Sequence, residues 1–298
     1  MERDVRKALA PRTLKQYDTI WEQFKEFAQQ HGKQYLPATP HTVGLYITNL
    51  HHESNIKGRT IKSYLSAIAY YHRLEEYRDP TDSYLADSLL RSYAKSDASE
   101  EPRRAISSDL LTRIVSSINN VEQGYEKSLF KAILVFMYQG LLRSNEVSFC
   151  KEAPHILLAN QVSLKSVSGV THVCLAFKSF KHSKPNPPPL YLKPCAGNKG
   201  ICPVTQYKQF VKRRMEKSKY LFCWEDGSPL NRLDIAEVMK RHLNILGYPE
   251  EEYNTHSFRI GKTTDMAKEG YSHAQIAMAG RWASNAYQKY IKPDLIIA

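Results

Sequence analysis

Ten residues set a minimum size for the fold around them. From Leu129 to Tyr138 the chain reads LFKAILVFMY, apolar on nearly every side if helical. A helix without a polar face must be covered by other elements, so this stretch predicts a domain with a sizeable core. Its neighbours supply the cover. Leu110, Leu111, Ile114, Val115 and Ile118 make one amphipathic helix starting at Asp109, with Ser107 or Ser108 as cap. Cys202-Pro203 opens another over 203–217, and Asn231 caps a third over 233–246. Between them, residues 156–192 switch to alternation, with turn signals at SVSG and SKPNPPP. That predicts two or three antiparallel strands, with Pro185, Pro187, Pro188 and Pro189 in a loop or at an edge. The expectation is a mainly α domain carrying a small antiparallel β-sheet, over 108–298.

The chain before it has a different texture. Leu14, Tyr17, Trp21, Phe24, Phe27 and Ala28 recur at three and four, predicting a helix over 10–31. Thr39-Pro40 starts a second, continued by Val43, Tyr46, Ile47 and Leu50. Residues 59–75 and 81–95 make two more, the former striped by Ile61, Tyr64, Leu65, Ile68 and Tyr71. Four short helices with short connections predict a compact helical domain over 1–97. The polar, proline-punctuated stretch SDASEEPRRAISS follows, and 98–107 reads as a linker. Arg12, Lys15, Lys57, Arg59 and Lys62 lie near helix starts, where basic groups and backbone N–H donors suit a phosphate backbone or make plain surface.

The formal charge of +12 over 298 residues points to a polyanionic partner. Residues 1–103 hold 15 Lys+Arg against 14 Asp+Glu, leaving 27 against 16 for the rest of the chain. The excess therefore sits in the second domain. Five cysteines show no paired metal spacing, and no apolar run reaches eighteen residues, so neither a metal cluster nor a membrane span is expected. No glycine-rich phosphate loop or internal repeat is present. The chain reads as intracellular, with VKRRMEK at 211–217 as a nuclear-signal candidate or a solvated helix face.

The chemistry concentrates in THSFRIGKTTDMAKEGYSHAQIAMAGRWASNAYQKYIKP, residues 255–293. Thr255 reads as a helix cap, with His256 and Arg259 three apart on one face. Arg259 offers a planar fork of donors matching two phosphate oxygens. His256 can donate to a third, and Trp282 adds one indole N–H. Tyr287 and Tyr290 supply phenols, and a phenol that attacks phosphorus makes a covalent intermediate. Its ordinary pKa near ~10 requires neighbouring positive charge for reaction at neutral pH.

The order His, Arg three on, GRW, then Tyr resembles the C-terminal box of the tyrosine recombinases, the superfamily of lambda integrase, Cre and Xer. GRW followed by AYQKYI is most similar to the enzymes of DIRS, Ngaro and Crypton mobile elements. GLLRSNE at 140–146 resembles the family's GLR-x-x-E, with one extra Leu, and assigns Arg143 and Glu146 as an arginine and its acidic partner. FKSFKHSK resembles the lysine-bearing β-hairpin, with Lys181 the best match and Lys178 and Lys184 as alternatives. The N-terminal helices resemble the family's core-binding, SAM-like domain. The family usually places its nucleophile nine residues after the His/Trp position; Tyr290 is eight after Trp282 and Tyr287 only five, so Tyr290 is expected, with Tyr287 as the alternative.

The resemblance implies site-specific DNA recombination for mobile-element integration or excision, without metal, cofactor or small-molecule ligand, on double-stranded DNA. Tyr290 attacks the scissile phosphate and forms a 3′-phosphotyrosyl link. Arg143 and Arg259 neutralise the phosphorane, and His256 and Trp282 donate to it. Lys181 protonates the leaving oxygen, and Glu146 orients Arg143 or His256. It also implies a homo-tetramer on two duplexes, although only eight residues follow Tyr290, short for a separate exchanged helix. A eukaryotic mobile element would imply the nucleus. Two other readings share the fold: a domesticated, catalytically silent DNA-binding protein, and a type IB topoisomerase that relaxes one duplex.

Overall fold

The computed structural model describes residues 2–97, 103–150, 155–180, 183, 186–214 and 216–296. The chain divides into two compact units, Met1–Glu101 and Pro102–Ala298.

The first unit holds α1 (Glu2–Arg6), α2 (Pro11–Gln30), α3 (Pro40–His52), α4 (Gly58–Leu74) and α5 (Tyr84–Ser96). The apolar periodicity expected for α2 to α4 is the face each buries. Phe24 of α2, Val43 and Ile47 of α3, and Ile61 and Ile68 of α4 are fully enclosed. Trp21 stacks on Tyr71 at 4.7 Å. Thr39 caps α3 by accepting the Thr42 N–H. α5 starts at Tyr84 rather than at Thr81. Asp79 accepts both the N–H and the hydroxyl of Thr81, holding 79–81 as a turn, and Ser83 caps the helix instead. At its far end, Asp97 accepts the Gly58 N–H at 2.5 Å. A carboxylate of this chain therefore already occupies one of the α4 N-terminal donors.

The second unit is built around α7 (Gly124–Gln139), in which every residue from Ser128 to Tyr138 is buried. Against α7 pack α6 (Ser108–Val121), α9 (Pro203–Val211) and α11 (Ser257–Lys268). Between α7 and α9 come the one-turn α8 (Ser144–Val147) and the sheet. Strands β1 (Val162–Val167), β2 (Val170–Leu175) and β3 (Leu190–Leu192) pair antiparallel in that order. Val162 faces Leu175, and Val167 faces Val170 across a two-residue turn. Ser168 and Gly169 both have positive φ there, the geometry a tight hairpin requires. α9 ends at Val211, six residues short of the expected helix. Arg214 donates to the carbonyls of Ser218, Tyr220 and Leu221 and winds that stretch into a turn. α10 (Arg232–Ile245) is capped by Asn231, as expected, and α12 (His273–Gly280) by Ser272. The chain closes through 3₁₀ turns at Asn285–Tyr290 and Pro293–Leu295. No helix among the described residues is long and apolar enough to cross a membrane.

Three ties fix α11 on this core. Ile106 donates its N–H to Ser257 O at 3.0 Å. A Cβ on Gly261 would lie 1.7 Å from Ile106 O, so the helix can approach that closely only at glycine. Asp265, near the end of the helix, accepts the Ser108 N–H and the Tyr138 hydroxyl.

Candidate active site

Leu141, just past the end of α7, adopts a left-handed conformation at φ 47°. That turn delivers Arg143 to the N-cap position of α8, not to its interior. Glu146, 1% exposed, accepts the Arg143 backbone N–H at 2.9 Å. Its other oxygen takes the Arg143 Nη1 at 3.3 Å.

His256 and Arg259 come from the first turn of α11. Thr255 does not cap it. Its buried hydroxyl has no partner, and Asn254 instead accepts the His256 N–H at 2.8 Å while donating its own to Ser257 Oγ. A threonine turned into the core cannot reach the first-turn amides, and Asn254 holds the backbone just ahead of the helix, at its N-cap residue His256. The two residues differ in exposure: Arg259 is 1% exposed, and His256 keeps an open edge. Arg259 donates through Nη1 to Leu141 O and through Nη2 to Gly280 O at 3.3 Å; its Nε has no partner. Packing around the His256 ring, and then the charges of Arg259, Arg232 and Arg143, hold its pKa below the usual imidazole value. It is therefore neutral at neutral pH, with one N–H to give.

The stretch after α12 folds over Arg259. Its guanidinium lies 4.5 Å from the Trp282 ring and 5.4 Å from the Tyr290 ring. Trp282 and Tyr290 are 5.2 Å apart, and Tyr290 is 6.3 Å from His256. A Cβ on Gly280 would sit 1.7 Å from the indole, so glycine there permits the fold-back. Tyr287 points elsewhere. It is 4% exposed, packed with Leu141, Met266 and Ile276, and bonded through its hydroxyl to His273 Nδ1 at 2.9 Å. Tyr290 is half-exposed, and Thr264 holds its carbonyl and the Lys292 N–H.

One participant was not foreseen. Arg281, between Gly280 and Trp282, has a side chain only 8% exposed and pairs with Glu146 at 2.9 Å. It also donates to Leu141 O at 3.2 Å. Its interval was the available signal: Tyr290 lies nine residues beyond Arg281, the spacing that the resemblance attaches to the group preceding the nucleophile. Glu146 thus faces Arg143 and Arg281, not His256. Two guanidiniums share one carboxylate, and with Arg259 nearby the site holds a local excess of positive charge under an aromatic cover. Burial, followed by the charge of Arg143, pushes the Arg259 pKa down to about 10, and burial lowers that of Arg281 too. Arginine stays ionised even so, and a cationic pocket with unpaired donors is stabilised by an anion.

Lys178 is exposed on the segment after β2, beside Phe177 and Phe180. Lys181 and Lys184 lie outside the described residues. In the first unit, Arg12 and Lys15 are exposed on the first turns of α2, and Lys57, Arg59 and Lys62 at the start of α4.

Residues 4–76 match the family described as phage integrase, N-terminal SAM-like domain. An integrase/recombinase xerD homolog from Selenomonas ruminantium is 35% identical over 71 residues, 24% of this chain and only 20% of that protein. Among solved structures, XerH site-specific recombinase bound to difH substrate, in its pre-cleavage complex, is similar with TM-score 0.61 at 16% identity, covering 90% of this chain and 72% of that one. A lambda integrase dimer bound to a COC′ core site gives TM-score 0.59 at 12% identity, covering 95% and 89%. The Tn1549 transposon integrase in complex with transposon right end DNA gives 0.58 at 16%, covering 85% and 81%. At these identities the structures speak to fold alone. The comparisons thus show a SAM-like phage-integrase N-terminal domain over residues 4–76 and a fold shared with site-specific recombinases and integrases.

Proposed function

We propose that the protein is a site-specific DNA recombinase that breaks and rejoins strands through a phosphotyrosine link at Tyr290. The observation that carries this is the half-exposed Tyr290 ring beside Arg259, Trp282 and His256, in a site where Glu146 also pairs with Arg143 and Arg281. Such a pocket favours a phosphodiester, and favours more the extra negative charge of a pentavalent phosphorane. The solved structures with the same fold were determined with DNA substrates, which supports double-stranded DNA as the partner here.

In this reading Tyr290 Oη forms the bond to phosphorus and loses its proton, and the bond to the 5′-oxygen breaks. Arg143 and Arg259 carry the developing charge, and His256 donates its N–H to a phosphoryl oxygen. The half-buried Trp282 covers Arg259 and contributes its indole N–H. Lys181, assigned by resemblance, supplies the proton to the leaving oxygen, with Lys178 and Lys184 as alternatives. The phosphotyrosyl link keeps the energy of the phosphodiester, so a partner strand's 5′-hydroxyl can reverse the step without ATP. The two-domain division into a core-binding domain over 1–97, a linker over 98–107 and a catalytic domain over 108–298 belongs to the same proposal. So do assembly of four copies on two duplexes, a role in moving a mobile element, and residence in the nucleus of a eukaryotic host.

The test is a nicked duplex whose short product diffuses away after cleavage, so that the covalent species accumulates. Carrying candidate element termini, it should yield a protein–DNA adduct resistant to denaturant and mapping to Tyr290. A folded protein that binds such DNA and forms no adduct would be the silent binder instead. Adducts accompanied by relaxation of supercoiled plasmid, with no recombinant product, would identify the topoisomerase.

A further inference from the structure

Glu146 does not grip its two arginines equally. Its contact with Arg281 is 2.9 Å, within the range of a charge-assisted bond, and its contact with the Arg143 guanidinium is 3.3 Å, beyond it. What Glu146 holds firmly of Arg143 is the backbone N–H, at 2.9 Å. Exposure follows the same division: the Arg143 side chain is 22% exposed and that of Arg281 only 8%. The Nε and Nη1 atoms of Arg281 are buried without partners. The guanidinium carbon lies 5.0 Å from the Phe177 ring and 5.3 Å from the Phe180 ring, so aromatic faces cover it. The residue is also placed at a backbone cost, with φ 55° at the end of α12, a region that side chains other than glycine and asparagine avoid.

We propose that Arg281 is a positioning residue that takes up the charge of Glu146, so that Glu146 fixes the Arg143 backbone while the Arg143 guanidinium stays free for phosphate. The inference rests on the recombinase reading of this site. Without Arg281, the buried carboxylate has one cation left to pair with. It then draws the Arg143 guanidinium inward and lowers the net positive charge offered to an anion. The defect is therefore in Glu146's charge, and removing that charge relieves it. A residue that merely packs would show no such relief.

The experiment uses full-length protein with Arg281→Met, Glu146→Gln and the pair combined. Adduct formation on the nicked duplex should slow at least tenfold in Arg281→Met and return in the double variant to within about threefold of Glu146→Gln alone. A second measurement needs no catalysis: modification of Arg143 by phenylglyoxal, followed by peptide mass spectrometry. Arg143 should react several-fold more slowly in Arg281→Met and at the wild-type rate in the double variant. Should Arg281→Met not fold, Arg281→Lys keeps the charge without the reach to both Glu146 and Leu141 O, and it should show a smaller shift in the same direction. Simple multiplication of the two single defects, or unchanged Arg143 reactivity, overturns the inference while the recombinase reading stands. A wild-type protein that forms no adduct overturns that reading, and the reactivity of Arg143 then still decides whether Arg281 frees it.

Discussion

Tyr287 and Tyr290 stand one 3₁₀ turn apart, and their environments separate them. The Tyr287 hydroxyl is committed to His273 in an apolar pocket, whereas the Tyr290 ring borders the guanidinium of Arg259. Tyr290→Phe should keep fold and DNA binding and form no covalent complex. Tyr287→Phe should stay active, losing about 1 kcal/mol of stability with its one hydrogen bond. Peptide mapping of a trapped adduct decides between them, and DNA found on Tyr287 would reverse the assignment. Arg259→Lys makes a stricter demand. A lysine keeps the charge but cannot hold Leu141 O and Gly280 O while facing a phosphate. Cleavage should fall by about 100-fold, on the order of 3 kcal/mol of transition-state stabilisation. Affinity, spread over many phosphates, should change little. Single-turnover cleavage and a binding titration on the same DNA separate the two effects.

At the level of elements, the site depends on how closely α11 lies on the segment leading into α6. Helix propensity by itself favours alanine over glycine by up to about 1 kcal/mol. At Gly261 the would-be Cβ meets the backbone of Ile106, which cannot rotate away as a side chain can. Gly261→Ala should therefore destabilise, by about 1–3 kcal/mol as overpacking does. It should also lower cleavage, because Arg259 two residues earlier shifts with the helix. Calorimetry checks the first effect and the nicked-duplex assay the second. A raised Tm would mean that the helix tolerates displacement. The two helix boundaries that differ from expectation have local causes of the same kind. Asp79 holds the chain as a turn ahead of α5, and Arg214 caps carbonyls beyond α9. Periodicity reports a helix's buried face, and it is silent on a polar side chain that competes for the backbone at its end.

For the whole molecule, charge and burial set two dependences on conditions. His72 and His242 are fully buried, and burial holds both pKa values below that of a free histidine. His72 Nε2 accepts the Ala38 N–H, which requires it unprotonated. The unfolded chain, with histidine pKa near ~6.5, then binds more protons than the folded one below that pH. Their contribution is present in full above about pH 6.5 and lost as pH falls toward the lowered values. Tm should drop by several degrees between pH 7.5 and 5.5, and a flat profile would contradict this. DNA affinity should fall steeply with salt. Replacing Lys57, Arg59 and Lys62 by Gln should make the slope of log K against log salt shallower by about 0.9 for each phosphate these side chains neutralise. An unchanged slope would remove the start of α4 from the DNA interface.

The sequence encodes, through local pattern, a definite set of elements. These are the amphipathic stripes of α2 to α4 and α6, the all-apolar α7, the alternating strands, and the helix starts at Thr39 and Asn231, with Ser107 and Ser108 left open until the structure chose Ser107. It also determined, by order and resemblance, which residues to examine: Arg143, His256, Arg259, Trp282 and Tyr290. What each of them faces is settled by packing in three dimensions. Thr255 reads as a cap, yet its hydroxyl is turned into the core, and Asn254 holds the backbone ahead of the helix instead. Tyr287 and Tyr290 are equivalent in composition, and the pocket of Leu141, Met266 and Ile276 distinguished them. Arg281 carries no assignment in the sequence, because its partner Glu146 lies 135 positions away in the chain. Electrostatic partnership acts through space at a few ångströms, and pattern along the chain records it only when the partners share a helix or a strand.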